Sequence, residues 1–169
     1  MINLIIKNSD KLIINLDLLK SHLRIANNYE DDYLKTIINT ATCTLENILE
    51  LSILYKTYKY IVNNHNVHYS IVLPIKNVNI IQSITDSDNN NVQFETNNKY
   101  EINLRNINNK FPINIQYIAG FTDNTEEIPN DIKLSILQIS KNIYDNSEEN
   151  ILDSKYIQSV INKYKQINL

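Results

Sequence analysis

The sequence of 169 residues holds one glycine, one cysteine, one methionine, three prolines, two arginines and no tryptophan. A single glycine excludes a glycine-rich phosphate loop, whose tight backbone needs several. A single cysteine, Cys43, excludes a disulfide within the chain and any cysteine-based zinc cluster. Charge of one sign is also lacking: 16 Lys and Arg stand against 19 Asp and Glu, a net −3. A sequence-independent clamp on nucleic acid needs a basic surface, so that class is disfavoured. No apolar run approaches the roughly 18 residues of a membrane span, so no membrane association is expected. The first apolar run, Leu4 to Ile6, is interrupted by Lys7 and is too short for a signal peptide. The expected compartment is the cytoplasm.

What is present is isoleucine, asparagine and lysine, at 30, 29 and 14 residues. Their codons are AT-rich, whereas those of Gly, Arg, Ala and Pro are GC-rich, so the composition reports mostly on an AT-rich genome. The many asparagines are therefore weak structural signals. The lone Gly120 is a stronger one, because it marks a backbone position where a side chain does not fit.

Periodicity divides the chain into segments. Asn15 is a candidate N-cap for a short helix over 15–24, with Leu16, Leu19 and Leu23 on one face. Leu34, Ile37, Ile38, Ala41, Leu45, Ile48 and Leu49 form a stripe of period 3.6, which predicts a long helix over about 29–51. Asn27 and Glu30 have the spacing of a capping box, and Glu30, Asp31 and Asp32 suit the positive end of the helix dipole. The period then becomes two. Lys56–Val62 and Val67–Leu73 are expected to form a hairpin, followed by a strand over Val78–Thr85. A second hairpin is expected from Val92–Glu95 and Tyr100–Leu104, and a last strand from Ile113 to Tyr117, ending at Ala119 and Gly120. Pro129 suits the first turn of a helix over 129–144, with Ile132, Ile136, Ile139 and Ile143 on one face and Leu134 and Leu137 widening it. Ile157, Val160, Ile161 and Tyr164 mark a short C-terminal helix. Two helices, about six strands and two helices predict an α+β fold, with the helical part packed on an antiparallel β region. One domain over 1–169 is expected, with a β insertion at about 56–118.

Residues that could carry chemistry are few. His65 and His68 have a metal-pair spacing but no third ligand nearby, so they read as a solvated loop. His22 with Glu30 or Asp31 is the one arrangement a small enzyme could use; the dipole role already accounts for the acids. Cys43 has no basic neighbour in sequence and reads as a small core residue. Neither a serine elbow nor a zinc-protease helix motif occurs. No catalytic, cofactor-binding or metal residues are expected. Residues 121–169 carry five basic and eight acidic residues, which accounts for the whole net charge.

Three stretches together resemble a known family. The first is Leu16-Asp17-Leu18-Leu19-Lys20-Ser21-His22-Leu23-Arg24-Ile25, then Glu30-Asp31-Asp32-Tyr33-Leu34 and the long helix. The second is Leu73-Pro74 with Val78 and Ile84-Thr85-Asp86. The third is Tyr117-Ile118-Ala119-Gly120-Phe121 with Ile128-Pro129-Asn130-Asp131-Ile132-Lys133. Their order and spacing over 12–145 are similar to the small head–tail connector (adaptor) proteins of tailed bacteriophages, also found in prophages and gene transfer agents. Asn77 departs from the pattern, standing where family members often have proline.

The resemblance implies a structural role with no cofactor. Such a protein assembles in the bacterial cytoplasm and ends at the virion head–tail junction. It forms a dodecameric ring beneath the portal protein and docks the stopper or tail-completion protein. Double-stranded DNA passes through the channel without specific binding, and the isolated chain can be a monomer. The expected contacts between subunits are Leu34, Ile38, Ala41 and Leu45 on one helix and Ile132, Ile136, Ile139 and Ile143 on the other. Gly120 and Pro129 are expected as structural turns, and the segment 145–169 as mobile until a partner binds. A different α+β binding module from a mobile element, with no virion role, is the alternative.

Overall fold

The computed structural model describes residues 2–7, 11–63, 70–105, 110–147 and 150–166, with the side chains of 2–7 and 166 outside the description. His65 and His68 lie outside the described residues. The chain folds as two units: a β unit of Met1–Ser9 with Glu50–Asp123, and a helical unit of Asp10–Leu49 with Asn124–Leu169.

The β unit holds seven strands among the described residues. They are β1 (Ile2–Lys7), β2 (Lys56–Val62), β3 (Ser70–Val72), β4 (Val78–Thr85), β5 (Phe94–Asn98), β6 (Glu101–Leu104) and β7 (Ile113–Ala119). They form a four-stranded sheet, β1-β2-β7-β4, and a three-stranded sheet, β3-β6-β5. Every ladder is antiparallel. Alternation along β2 and β7 sends Tyr58, Tyr60, Val62, Ile113, Ile115, Tyr117 and Ala119 into one core, joined by Ile71, Leu73 and Ile102 from the smaller sheet. Each Ile, Leu and Val side chain among them contributes about 1.5–3 kcal/mol by leaving water. Tyr58 and Tyr117 are cross-strand partners with stacked rings 5.3 Å apart.

Two expectations about the strands are corrected. The first predicted hairpin does not pair with itself: β2 lies between β1 and β7, and β3 joins the other sheet beside β6. Both edges of β2 are occupied, so its sequence neighbour has to pair elsewhere. The strand at Ile2–Lys7 was not anticipated, because a short run broken by lysine shows no periodicity. The second hairpin, β5–β6, forms, with its turn at Lys99 and Tyr100.

The helical unit holds α1 (Leu16–Leu23), α2 (Asp31–Leu49), α3 (Asn130–Tyr144) and α4 (Lys155–Gln166), with 3-10 turns at Thr125–Glu127 and Ile151–Asp153. Asn15 caps α1, its side-chain oxygen accepting from the Asp17 amide. The capping box is not made: Asn27 Oδ1 accepts from the Tyr29 amide, and α2 begins at Asp31. Pro129 immediately precedes α3, its carbonyl accepting from the Ile132 and Lys133 amides. α2 and α3 pack together, as their apolar stripes predict. Cys43 is exposed rather than in the core, because it lies on the face of α2 away from the Leu34–Ile38–Ala41–Leu45 stripe.

Candidate functional site

Leu34, Ile38, Ala41, Leu45, Ile132 and Ile136 have no exposed surface, Ile139 is buried, and Ile143 is partly buried. The structure therefore brings these residues together, but inside their own unit. Side chains with no surface cannot meet another molecule, so the faces open to contact are the opposite ones. Exposed apolar residues there include Leu18 on α1, Tyr33 on α2 and Leu134 on α3, with Tyr29 in the preceding loop.

At the start of α3, Asp131 gathers three groups from α4. Its carboxylate accepts from Lys163 Nζ at 2.5 Å and from the Tyr164 hydroxyl at 2.9 Å. Its backbone carbonyl accepts from the Tyr156 hydroxyl at 3.2 Å. Burial pushes the Asp131 carboxyl up, but the bonds from Lys163, Tyr164 and the Ile132 amide outweigh it and hold the group below the usual carboxylate range. Burial, then the bond to Asp131, pushes the Tyr164 phenol well above its usual range. Ile157, Val160, Ile161 and Tyr164 are buried, so α4 packs its apolar face within the helical unit.

At the other end of α3, the Tyr144 hydroxyl donates to Glu30 Oε2 at 2.9 Å, and the Tyr144 and Tyr33 rings lie 6.4 Å apart. The bond to Glu30 raises the Tyr144 phenol. Asp31 is paired with Lys20 of α1 at 2.8 Å, and Lys20 also donates to Asn28 Oδ1. Asp32 pairs with Lys35, and their shared hydrogen bond lowers the acid and raises the amine. His22 is exposed, so the arrangement a small enzyme would need is not assembled: Asp31 is held by Lys20 and Glu30 accepts from a neutral tyrosine. Among the described residues, no three His, Cys, Asp or Glu side chains converge as metal ligands, and no helix is long and apolar enough to cross a membrane.

In the β unit, Gly120 has φ +147, and a β-carbon there would lie 2.6 Å from the Leu54 carbonyl carbon and oxygen and from the Tyr55 nitrogen. The lone glycine thus marks a close backbone approach, as its persistence in an AT-rich chain suggested. Asn77 is clamped to the same stretch. Its side chain accepts from the Ser52 amide at 3.0 Å and donates to the Ser52 carbonyl at 2.7 Å, while its carbonyl accepts from the Gly120 amide at 3.2 Å. A cavity of about 340 Å³ is lined by residues of β4 and β5, the edge strands of the two sheets, among them Ile80, Ile81 and Phe94.

Sequence reasoning missed Asp131 and Glu30 as junction residues. The signal available was only an acid in a first helical turn, which the dipole already explains. The tyrosines that reach them are distant in sequence.

Comparison with known proteins shows what this chain is similar to. A chain titled "Neck of empty GTA particle computed with C6 symmetry" shares the fold with TM-score 0.77 at 12% identity, covering 98% of this chain and 95% of that one. A chain of a virion of a native gene transfer agent particle gives 0.74 at 13% identity, with the same coverage of 98% and 95%. A chain titled "Neck of native GTA particle computed with C12 symmetry" gives 0.73 at 12%, again covering 98% and 95%. No curated protein matches the sequence. The family model described as phage gp6-like head-tail connector protein matches residues 13–120, well over half of the sequence, and the chain belongs to that family of structural head–tail connectors.

Proposed function

We propose that this connector works as a ring beneath the portal protein of a phage, prophage or gene transfer agent, at the virion head–tail junction. In this reading twelve copies extend the DNA channel and present a second surface to the stopper or tail-completion protein. Both units act together as one adaptor, the Glu50–Asp123 part of the β unit standing in sequence between the two parts of the helical one. The channel passes double-stranded DNA without gripping it, consistent with a net charge of −3. Function comes from shape, and no substrate is transformed.

The observation that carries the reading is the family match over 13–120, joined by a fold shared across 98% of the chain with neck proteins whose particles were treated with C6 and C12 symmetry. Contacts between copies would use the exposed faces of the helices, since the apolar stripes are buried. Electron microscopy of the chain mixed with the portal of its own genetic element tests the proposal. A twelvefold ring added at the portal supports it; no association under assembly conditions refutes it.

A further inference from the structure

The two ends of α3 carry different chemistry. Asp131 and Tyr144 are separated by thirteen positions, about 20 Å along a helix. Near Tyr144 lies an exposed tyrosine face. Tyr29 is 94% exposed and Tyr33 is 50% exposed, far more than large aromatics ordinarily are. Beside them Glu30 accepts only the neutral Tyr144 hydroxyl and has no ion-pair partner among the described residues.

Near Asp131 lies α4, which carries Lys155, Lys163 and Lys165 and no acidic residue. Lys163 is engaged by Asp131, whereas Lys155 and Lys165 are exposed and have no ion-pair partner among the described residues. Lys155 lies on the side of α4 opposite buried Ile157, Val160, Ile161 and Tyr164, and Lys165, four positions after Ile161, lies exposed at the border of that face.

We propose that a second copy of this chain docks its α4 lysine face, through Lys155 and Lys165, on the Tyr29–Tyr33–Glu30 face of its neighbour. The inference rests on the ring reading above and deepens it by naming the surfaces. The Glu30 carboxylate, bonded to Tyr144 with the Tyr33 ring beyond it, takes an ammonium by charge, and the exposed rings add cation–π attraction. The chain already shows that preference, with Lys163 Nζ 5.1 Å from the Tyr164 ring centroid. Two different patches on one chain pair head to tail, and head-to-tail pairing closes into rings. A two-fold pairing of the tyrosine faces would oppose Glu30 to Glu30. Phosphate could also meet the lysines, but it would leave the tyrosine face and its carboxylate unmatched.

Sedimentation equilibrium of the full chain tests the proposal with charge reversal at exposed positions, folding being checked by circular dichroism. Wild type is expected to self-associate, more weakly as salt rises. Glu30→Lys alone, and Lys155→Glu with Lys165→Glu, should each weaken association by about tenfold or more. An equimolar mixture of the two variants should restore it, because every contact in an alternating chain regains opposite charges. Variants that associate like wild type, or a mixture of folded variants that does not recover, overturn the proposal. A DNA duplex held by wild type, lost on lysine reversal and not restored in the mixture, assigns the lysines to phosphate and also overturns it. A wild-type chain that stays monomeric at every concentration also overturns the proposal. The ring reading would still stand or fall by the portal-bound image.

Discussion

The Tyr164 hydroxyl donates a 2.9 Å hydrogen bond to Asp131 Oδ1, tying the last described helix to the first turn of α3. With Lys163 on the other carboxylate oxygen and Tyr156 on the backbone carbonyl, one residue receives three groups of α4. Asp131→Asn removes the charge that holds Lys163 and Tyr164, leaves the backbone carbonyl that Tyr156 meets, and should cost about 1.5–3 kcal/mol. Limited proteolysis and hydrogen exchange over 155–165 check this. Wild type should be protected there, and the variant should be cleaved and exchange sooner. Ready cleavage of the wild type at the same sites would show a mobile segment instead.

The same junction sets a pH window. The folded Asp131 pKa lies below the ordinary 3.8, so its contribution is complete above that value and is lost as pH falls through the depressed one. The folded Tyr164 pKa lies above the ordinary 10.0, so its contribution is complete below that value and is lost as pH rises through the raised one. Docking of α4 should therefore hold across the neutral range and loosen at both extremes. The phenolate absorbance that Tyr164→Phe removes from the wild-type near-ultraviolet titration should appear only above the ordinary 10.0. A step at or below that value would contradict the buried hydrogen bond.

Gly120→Ala places a β-carbon 2.6 Å from backbone that has no flexible end to move, at a φ that side chains rarely adopt. The expected loss is roughly 2 kcal/mol or more. Thermal unfolding checks it, and an unchanged midpoint would show that the Leu54–Tyr55 backbone yields.

Asn77→Ala deletes both side-chain bonds to the Ser52 backbone, and the expected cost is about 1–3 kcal/mol. Proline, frequent in the family at this place, supplies neither bond but fixes φ near −65° instead. Asn77→Pro should therefore recover little of the loss, as judged by urea denaturation.

Ile136 and Leu134 stand two positions apart on α3, yet Ile136 has no exposed surface and Leu134 is exposed. Ile136→Ala should cost about 2–5 kcal/mol through the cavity it leaves. Leu134→Ala should stay within about 0.5 kcal/mol. Equal losses in denaturant midpoints would contradict the assignment of Ile136 to the core.

Legibility followed physical range. The helix over 29–51, the helix after Pro129 and the cap at Asn15 were readable because each depends on residues within a few positions of one another. Strand pairing was not. Alternation in Lys56–Val62 shows a half-buried strand, but nothing local says that β7, more than fifty residues later, takes one edge and Ile2–Lys7 the other. Cys43 reads as core because it lies between Ala41 and Leu45 of the stripe, but two residues from each it faces the other side of the helix.

Local pattern established that the chain is α+β, where the four helices among the described residues lie, that Gly120 is a special position, and that the order of motifs is that of a head–tail connector. Three-dimensional packing was needed to show that the apolar helix stripes are core, that Asp131 is a junction, and that tyrosines and lysines remain on separate outer faces. Periodicity shows that a face is apolar but not what covers it. Whether a face meets its own chain or open solvent depends on contacts between residues a hundred positions apart, such as Glu30 and Tyr144.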